Sequence, residues 1–233
     1  MKYKNIKLKE NLLKAIEEVG YIEMTEIQEK AIPLALEGKS IIGQSQTGTG
    51  KTASFAIPII NNTESDLKYT QHIILTPTRE LAEQVYKEFY KLTKGQGIKV
   101  VSIIGGVPYD KQERRVRDGA QIVVATPGRL FDFLSKGKID GQKIKSFTLD
   151  EVDQLLAVGF QRDIIKINDL LAKKKQTFFY SATFSKKVEE ISKKINPNDA
   201  IKIEISKGLS TVDSVKQEFI IVKKHNKFEM LKL

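Results

Sequence analysis

Apolar positions along the chain follow two rhythms that take turns. Short runs rich in Val, Ile and Phe occupy residues 40–43, 72–76, 99–104, 121–125, 146–149, 176–181 and 200–205. They are apolar almost throughout instead of alternating with polar residues, the pattern of strands covered on both faces in a parallel sheet. Between them the spacing changes to three and four: Leu81, Val85, Phe89 and Leu92 fall on one helical face, as do Ile164, Ile167 and Leu171. Two helices are predicted ahead of the first strand. Leu12, Leu13, Ile16 and Val19 form a stripe stopped by Gly20, and Thr25 with Gln28 three residues on has the form of a capping box. This alternation predicts an α/β fold with a mostly parallel seven-stranded sheet and helices on both faces. In such sheets ligands bind at the carboxyl ends of the strands.

After residue 205 the texture changes. Residues 206–214 are rich in Ser, Thr and Gly, residues 217–222 read as a further strand, and residues 226–233 start a helix. The expected organisation is one domain over 1–205, a linker over 206–216, and the opening of a second domain over 217–233. A strand and half a helix cannot bury a core of their own.

Composition narrows the function classes. A hydrophobic content of 40% with 29% charged residues is that of a folded domain, not a disordered chain. The net charge of +10, from 39 basic against 29 acidic residues, favours a polyanionic partner without bearing on fold. Absence of cysteine excludes disulfides and thiolate metal sites. His72 and His225 lie far apart with no ligand spacing around them. The lysine-broken first 13 residues do not form a signal peptide, and no apolar run reaches the 18 or so residues of a membrane span. A cytoplasmic, monomeric protein is expected.

Two segments carry chemistry. Ser45, Gln46, Thr47, Gly48, Thr49, Gly50, Lys51 and Thr52 follow an apolar strand and precede an apolar helix. That is the setting of a phosphate-binding loop, in which backbone N–H groups and a helix N-terminus face the phosphates. Lys51 is suited to the β- and γ-phosphates and Thr52 to Mg²⁺. Ser45 stands where the strict pattern has glycine, and the alternative is a Gly-rich turn carrying a lysine by chance. The second segment, Asp150-Glu151-Val152-Asp153, ends the strand 146–149. Asp150 there is placed to bind Mg²⁺ and Glu151 to activate water. Three acids at a helix start also suit the helix dipole alone.

Together these two segments resemble motifs I and II of the DEAD-box RNA helicases, with a Val152 (DEVD) variant of motif II. The rest of that family's set follows in order. Gly20 through Gln28 is similar to the Q motif, in which Gln28 reads adenine, and Tyr3 occupies the place of the aromatic that stacks on the base. Pro77, Thr78 and Arg79, continuing to Ala82, resemble motif Ia; Gly105 and Gly106 the GG motif; Thr126, Pro127, Gly128 and Arg129 motif Ib; Ser181-Ala182-Thr183 motif III. The resemblance runs from Tyr3 to about Leu233. It implies a RecA-like domain using ATP and Mg²⁺, RNA at motifs Ia, GG and Ib, and coupling between the two sites through Asp153, Ser181 and Thr183. It also implies a second RecA-like domain as partner. The wording of residues 45–48 and 208–210 looks most like bacterial members acting on ribosomal RNA.

The residues themselves agree with the RNA assignment, since Arg79 and Arg129 follow Thr-containing turns at strand ends and Gly105-Gly106 admits a close backbone. Each also has a plain reading as a turn or a helix start with Pro at its first position. The lysines at 173–175, 186–187 and 193–194 read as solvated faces. Because the arginines that complete such a nucleotide site belong to the family's second domain, residues 1–233 alone are expected to bind ATP and hydrolyse it very slowly. Two rivals remain: a DNA-directed translocase on the same domain, and a non-hydrolysing RNA clamp, for which Lys51 and Glu151 would have no use.

Overall fold

The computed structural model describes residues 1–46 and 48–205. The expected linker and second-domain opening, and His225 with them, lie outside the described residues. Seven strands form one sheet: β1 (Ile41–Gln44), β2 (His72–Leu75), β3 (Val100–Ile103), β4 (Ile122–Ala125), β5 (Ser146–Leu149), β6 (Gln176–Ser181) and β7 (Ile201–Glu204). They lie in the order β3-β4-β2-β5-β6-β1-β7, and every pairing is parallel. Each predicted apolar run becomes a strand, with ends shifted by a residue or two.

The helices are α1 (Glu10–Glu18), α2 (Glu26–Leu36), α3 (Lys51–Asn62), α4 (Arg79–Leu92), α5 (Tyr109–Arg117), α6 (Pro127–Ser135), α7 (Val152–Ala157), α8 (Gln161–Leu170) and α9 (Lys186–Ile195). Strand side chains point alternately to the two faces, so each apolar run feeds two cores. Ile74, Val124, Phe178 and Tyr180 pack with Ile16, Ile32, Phe55 and Phe89 of α1 to α4. Their strand neighbours Ile73, Leu75, Val123 and Phe179 pack on the other face with Leu130, Phe133, Ile164 and Ile191 of α6, α8 and α9. Burying a side chain of this size stabilises by roughly 1.5–3 kcal/mol relative to exposure, which is why the strands carry apolar residues on both faces.

The predicted stripes meet these cores: Val85, Phe89 and Leu92 are buried, with Leu81 packed beside them, and Ile164, Ile167 and Leu171 are buried opposite. His72, first residue of β2, is fully enclosed, its Nδ1 2.8 Å from Ser146 Oγ. Burial pushes its imidazole down to about 3, so it is a neutral core residue at neutral pH. None of the described helices is long and apolar enough to cross a membrane.

Candidate nucleotide-binding site and adjoining loops

The turn between β1 and α3 is shaped by backbone conformation. Gly48 and Gly50 have φ of +80° and +88°, in the left-handed region that glycine adopts without a side-chain clash. Gly50 is also the residue before α3, and a Cβ there would overlap the Gln28 amide and lie 2.9 Å from Thr25 Oγ1. Ser45, at the position of the missing glycine, is buried and within 3.0 Å of Thr49 Oγ1, whose hydroxyl donates to Gln46 O at 2.8 Å. Serine here adds an internal hydrogen bond to the loop instead of obstructing it. Gln46 is exposed, and Thr47 lies outside the described residues.

Lys51 begins α3 and is buried, yet its Nζ has no hydrogen-bond partner among the described residues. A buried ammonium without a partner is costly unless an anion completes it. Facing it at the end of β5 is Asp150, also buried, whose Oδ1 accepts the Glu151 N–H at 3.0 Å. Burial raises its carboxyl to about 6, partly offset by the Lys51 charge, while Glu151 and Asp153 push it up. Glu151 has φ +52° and ψ +54°, the one left-handed non-glycine residue among those described. Such a conformation costs about 1–3 kcal/mol and clusters at functional sites.

Lys51, Thr52, Gly48, Gly50, Asp150 and Glu151 line one side of a cleft of about 470 Å³; Tyr21 and Leu81, Gln84, Val85 and Glu88 of α4 line the rest. These parts fit a magnesium nucleotide. A buried carboxylate beside a lysine and a hydroxyl is the donor set of a cation that takes one or two carboxylates and fills its shell with phosphate and water.

Gln28, three residues into α2, ties this cleft to the N-terminal segment. Its Nε2 donates to Gly50 O at 3.0 Å, and its Oε1 accepts the Thr25 N–H at 2.8 Å and the Tyr3 hydroxyl at 2.6 Å. Tyr3 is buried, with its ring against Tyr21 at 6.1 Å and 20°. The Gln28 carbonyl therefore has both lone pairs engaged and one N–H left over. Pairing with both N6 and N7 of adenine requires the Tyr3 hydroxyl to yield.

Motif III meets motif II through hydrogen bonds. Asp153 Oδ2 accepts from Thr183 N at 3.1 Å and from Thr183 Oγ1 at 3.0 Å; Asp153 N donates to Ser181 Oγ at 3.2 Å, and that hydroxyl donates to Thr183 O at 2.8 Å. The three residues expected to couple the sites are thus one network on α7 and the end of β6. Val152 is fully buried in the second core, so its methyls fill space that a smaller residue would leave.

The remaining expected residues come together elsewhere. Pro77 to Arg79, Gly105-Gly106 and Thr126 to Arg129 follow β2, β3 and β4, which are adjacent at one end of the sheet. Thr78 caps α4 by accepting Leu81 N–H at 3.1 Å, and Pro127 takes the first position of α6. The Arg79 guanidinium lies so close over Gly105-Gly106 that a Cβ on Gly106 would overlap it. Arg129 Nη1 donates to Val107 O at 3.0 Å and its guanidinium sits 5.5 Å from the Tyr109 ring centroid. Both arginines clamp the loop after β3 and keep further N–H donors free.

Several residues of the site escaped the sequence reading. Glu88 accepts the Tyr21 hydroxyl, and Glu88 and Gln84 line the nucleotide cleft from α4. Their i, i+4 spacing on a helix that starts at Arg79 was the available signal. Tyr180 receives a hydrogen bond from Ser54 Oγ at 2.7 Å and sits over Gly43, locking β1 and β6 to α3. That contact had no sequence signal.

Comparison with known proteins agrees with this geometry. The chain is 39% identical over 232 residues to the DEAD-box ATP-dependent RNA helicase CshA of Streptococcus pneumoniae, covering 99% of this chain and 44% of that protein. It is 39% identical over 229 residues to the DEAD-box ATP-dependent RNA helicase RhpA of Helicobacter pylori, covering 98% and 46%. The chain spans about half the length of the curated relatives it matches. Among solved structures, a DEAD box protein from the hyperthermophile Methanococcus jannaschii superimposes with a TM-score of 0.84 at 36% identity, covering 99% of this chain and 62% of that one. Dbp5 of S. cerevisiae, solved bound to gle1 and IP6, gives 0.81 at 35% identity, covering 88% and 52%. Residues 25–191 match the DEAD/DEAH box helicase family, and with its motifs gathered on the sheet in this way the chain belongs to that family.

Proposed function

We propose that this chain is the ATP-binding part of an ATP-dependent RNA helicase, in which ATP binding and hydrolysis drive local unwinding or remodelling of RNA duplexes. The single observation that carries the reading is the buried Lys51 ammonium, without a hydrogen-bond partner among the described residues, facing buried Asp150 in the cleft. Residues 45–52 act as the phosphate-binding loop, with Thr52 and Asp150 holding Mg²⁺, partly through water. Bound MgATP supplies the phosphoryl group to be transferred. Lys51 meets its negative charge, and Glu151, in its strained turn, orients and deprotonates the attacking water. Asp150-Glu151-Val152-Asp153 serves as motif II with valine in place of alanine.

Tyr3 and Gln28 select adenine. Pro77, Thr78, Arg79, Gly105, Gly106 and Thr126 to Arg129 receive the RNA backbone, where N–H donors and guanidinium groups suit phosphates. Asp153, Ser181 and Thr183 couple the two. A second RecA-like domain, opening at 217–233 and continuing in a longer protein, supplies the further cations; the wording of residues 45–48 and 208–210 favours bacterial members acting on ribosomal RNA, and a cytoplasmic setting goes with that reading. The test is ATPase activity of that longer protein with RNA and with DNA of the same sequence. RNA-selective stimulation abolished by Glu151→Gln, with ATP binding retained, is the expected result. Equal stimulation by DNA would instead support a DNA translocase.

A further inference from the structure

We propose that the hollow beside edge strand β3, walled by Tyr86 and Tyr90 of α4 with Lys94, Lys99 and Arg115, is a second contact for single-stranded RNA, where bases stack on the tyrosines. The proposal rests on the RNA reading above and extends the RNA path beyond the loops already described. On α4, Arg79, Glu83, Tyr86 and Tyr90 are spaced by four, three and four residues, which puts them in one stripe along the helix. The stripe starts where Arg79 covers Gly105-Gly106. It is held to β3 by Ser102 Oγ donating to Glu83 at 2.7 Å. Since β3 is the terminal strand of the sheet, no strand lies beyond it among the described residues. Eleven residues of helix rise ~16 Å, and successive phosphates of one strand are about 3.4 Å apart along a duplex axis. A strand leaving Gly105-Gly106 thus reaches the tyrosines within about five nucleotides.

The hollow, about 430 Å³, has the chemistry of a single-strand platform. The two rings lie 6.0 Å apart at 31°, and Tyr90 is 61% exposed. Around them stand three cations against one carboxylate, Asp118. Lys99 Nζ is held on the Asp118 main-chain oxygen at 2.8 Å. Neither Lys94 nor Arg115 forms an ion pair with a carboxylate among the described residues. Glu83 is the one acid in the stripe, and Ser102 occupies it. An i, i+4 tyrosine pair can also serve helix stability alone, and that reading predicts no effect on RNA.

The experiment measures binding of the 233-residue chain to uridine oligomers of about 4 and about 16 nucleotides, the two ends of the usual range of site sizes; the shorter falls short of the span from Gly105-Gly106 to the tyrosines. The longer oligomer should bind more tightly, and Tyr86→Ala with Tyr90→Ala should remove that gain, roughly 5- to 50-fold. The short oligomer and ATP should bind as before. Phenylalanine at both positions should restore the gain while reducing RNA quenching of tyrosine emission, which is readable because the chain has no tryptophan. Lys94→Ala with Arg115→Ala should flatten the slope of log K against log salt by about 1.4, near 0.7 for each lost phosphate contact. A double-alanine variant indistinguishable from wild type on both oligomers overturns this site while leaving the RNA reading intact. Loss that phenylalanine does not rescue, accompanied by a lowered melting temperature, also overturns it. A wild-type chain that binds neither oligomer removes the RNA reading and this site together.

Discussion

Asp150 combines two opposing influences that a single substitution separates. Burial favours its neutral form up to about pH 6, while Lys51 draws it towards the carboxylate. Because the folded pKa lies above the ordinary value of 3.8, the ionised group destabilises the ligand-free fold at neutral pH. This penalty is complete above pH 6, shrinks as pH falls, and is gone below the unfolded pKa. Asp150→Asn should therefore stabilise the ligand-free protein by on the order of 2–3 kcal/mol at pH 7.5 and roughly half that at pH 5. Urea unfolding at the two pH values checks it, and a gap that widens on acidification would contradict the assignment. The same titration should weaken Mg²⁺-dependent nucleotide binding as pH drops through 6, because protonation competes with the metal. Gln28 offers a second residue-level test. Its amide is fully buried among Tyr3, Thr25 and Gly50, and losing such a partner costs about 1–3 kcal/mol. Gln28→Ala should weaken ATP binding roughly 5- to 150-fold and reduce the preference for ATP over GTP; equal titration curves for the two nucleotides in the wild type would sink the adenine role.

At the scale of elements, the turn from β5 into α7 stores strain at Glu151, the residue proposed to activate water. Glu151 adopts a left-handed conformation that glycine accepts freely. Glu151→Gly should raise stability by about 1 kcal/mol and abolish ATP turnover of the longer protein. Calorimetry and an ATPase assay together make the comparison: a glycine variant that is less stable than wild type would show that the turn is not strained. Helix α4 is the other element whose placement matters. One end carries Arg79 over Gly105-Gly106, its middle lines the nucleotide cleft with Gln84 and Glu88, and Glu88 holds Tyr21 beside Tyr3. One helix thus touches both the cleft and the Gly105-Gly106 loop.

Over the whole molecule, the strand order separates the two proposed sites. The loop after β1 and the ends of β5 and β6 carry Lys51, Asp150 and Ser181, and these three strands are adjacent. The loops after β3, β4 and β2 carry the residues proposed for RNA and occupy the other half. The nucleotide half has one cation at its cleft: Lys51 is the single basic side chain among the described residues lining it. Charge developing on the transferred phosphoryl group is commonly met by an arginine from a second domain or subunit, worth on the order of 10³–10⁵ in kcat. Residues 1–233 by themselves should accordingly bind MgATP but turn over far below the ~1 s⁻¹ at the low end of ordinary enzymes, even with saturating RNA. A steady-state assay yielding turnover near that value would mean the site is complete without further arginines.

Much of this was legible from the sequence because it depends on local chemistry. Apolar runs unbroken by polar positions specify strands buried on both faces, and Ile73 and Ile74 then have to enter different cores. Two glycines just ahead of a lysine suit an anion-binding turn, and acids at a strand end suit a metal position; both patterns are local. The sequence by itself also ordered the motifs, so the family could be read from them. What it could not contain is adjacency across the sheet. Strand order depends on which apolar faces pack best together, and that brought β3, β4 and β2 side by side and left β3 at the edge. Only the tertiary structure decided that Arg79 covers Gly105-Gly106, that the Gln28 carbonyl of the predicted capping box also takes the Tyr3 hydroxyl, and that Glu88 reaches the cleft. Each brings together residues tens of positions apart, and packing of the two cores, not local propensity, sets their distance.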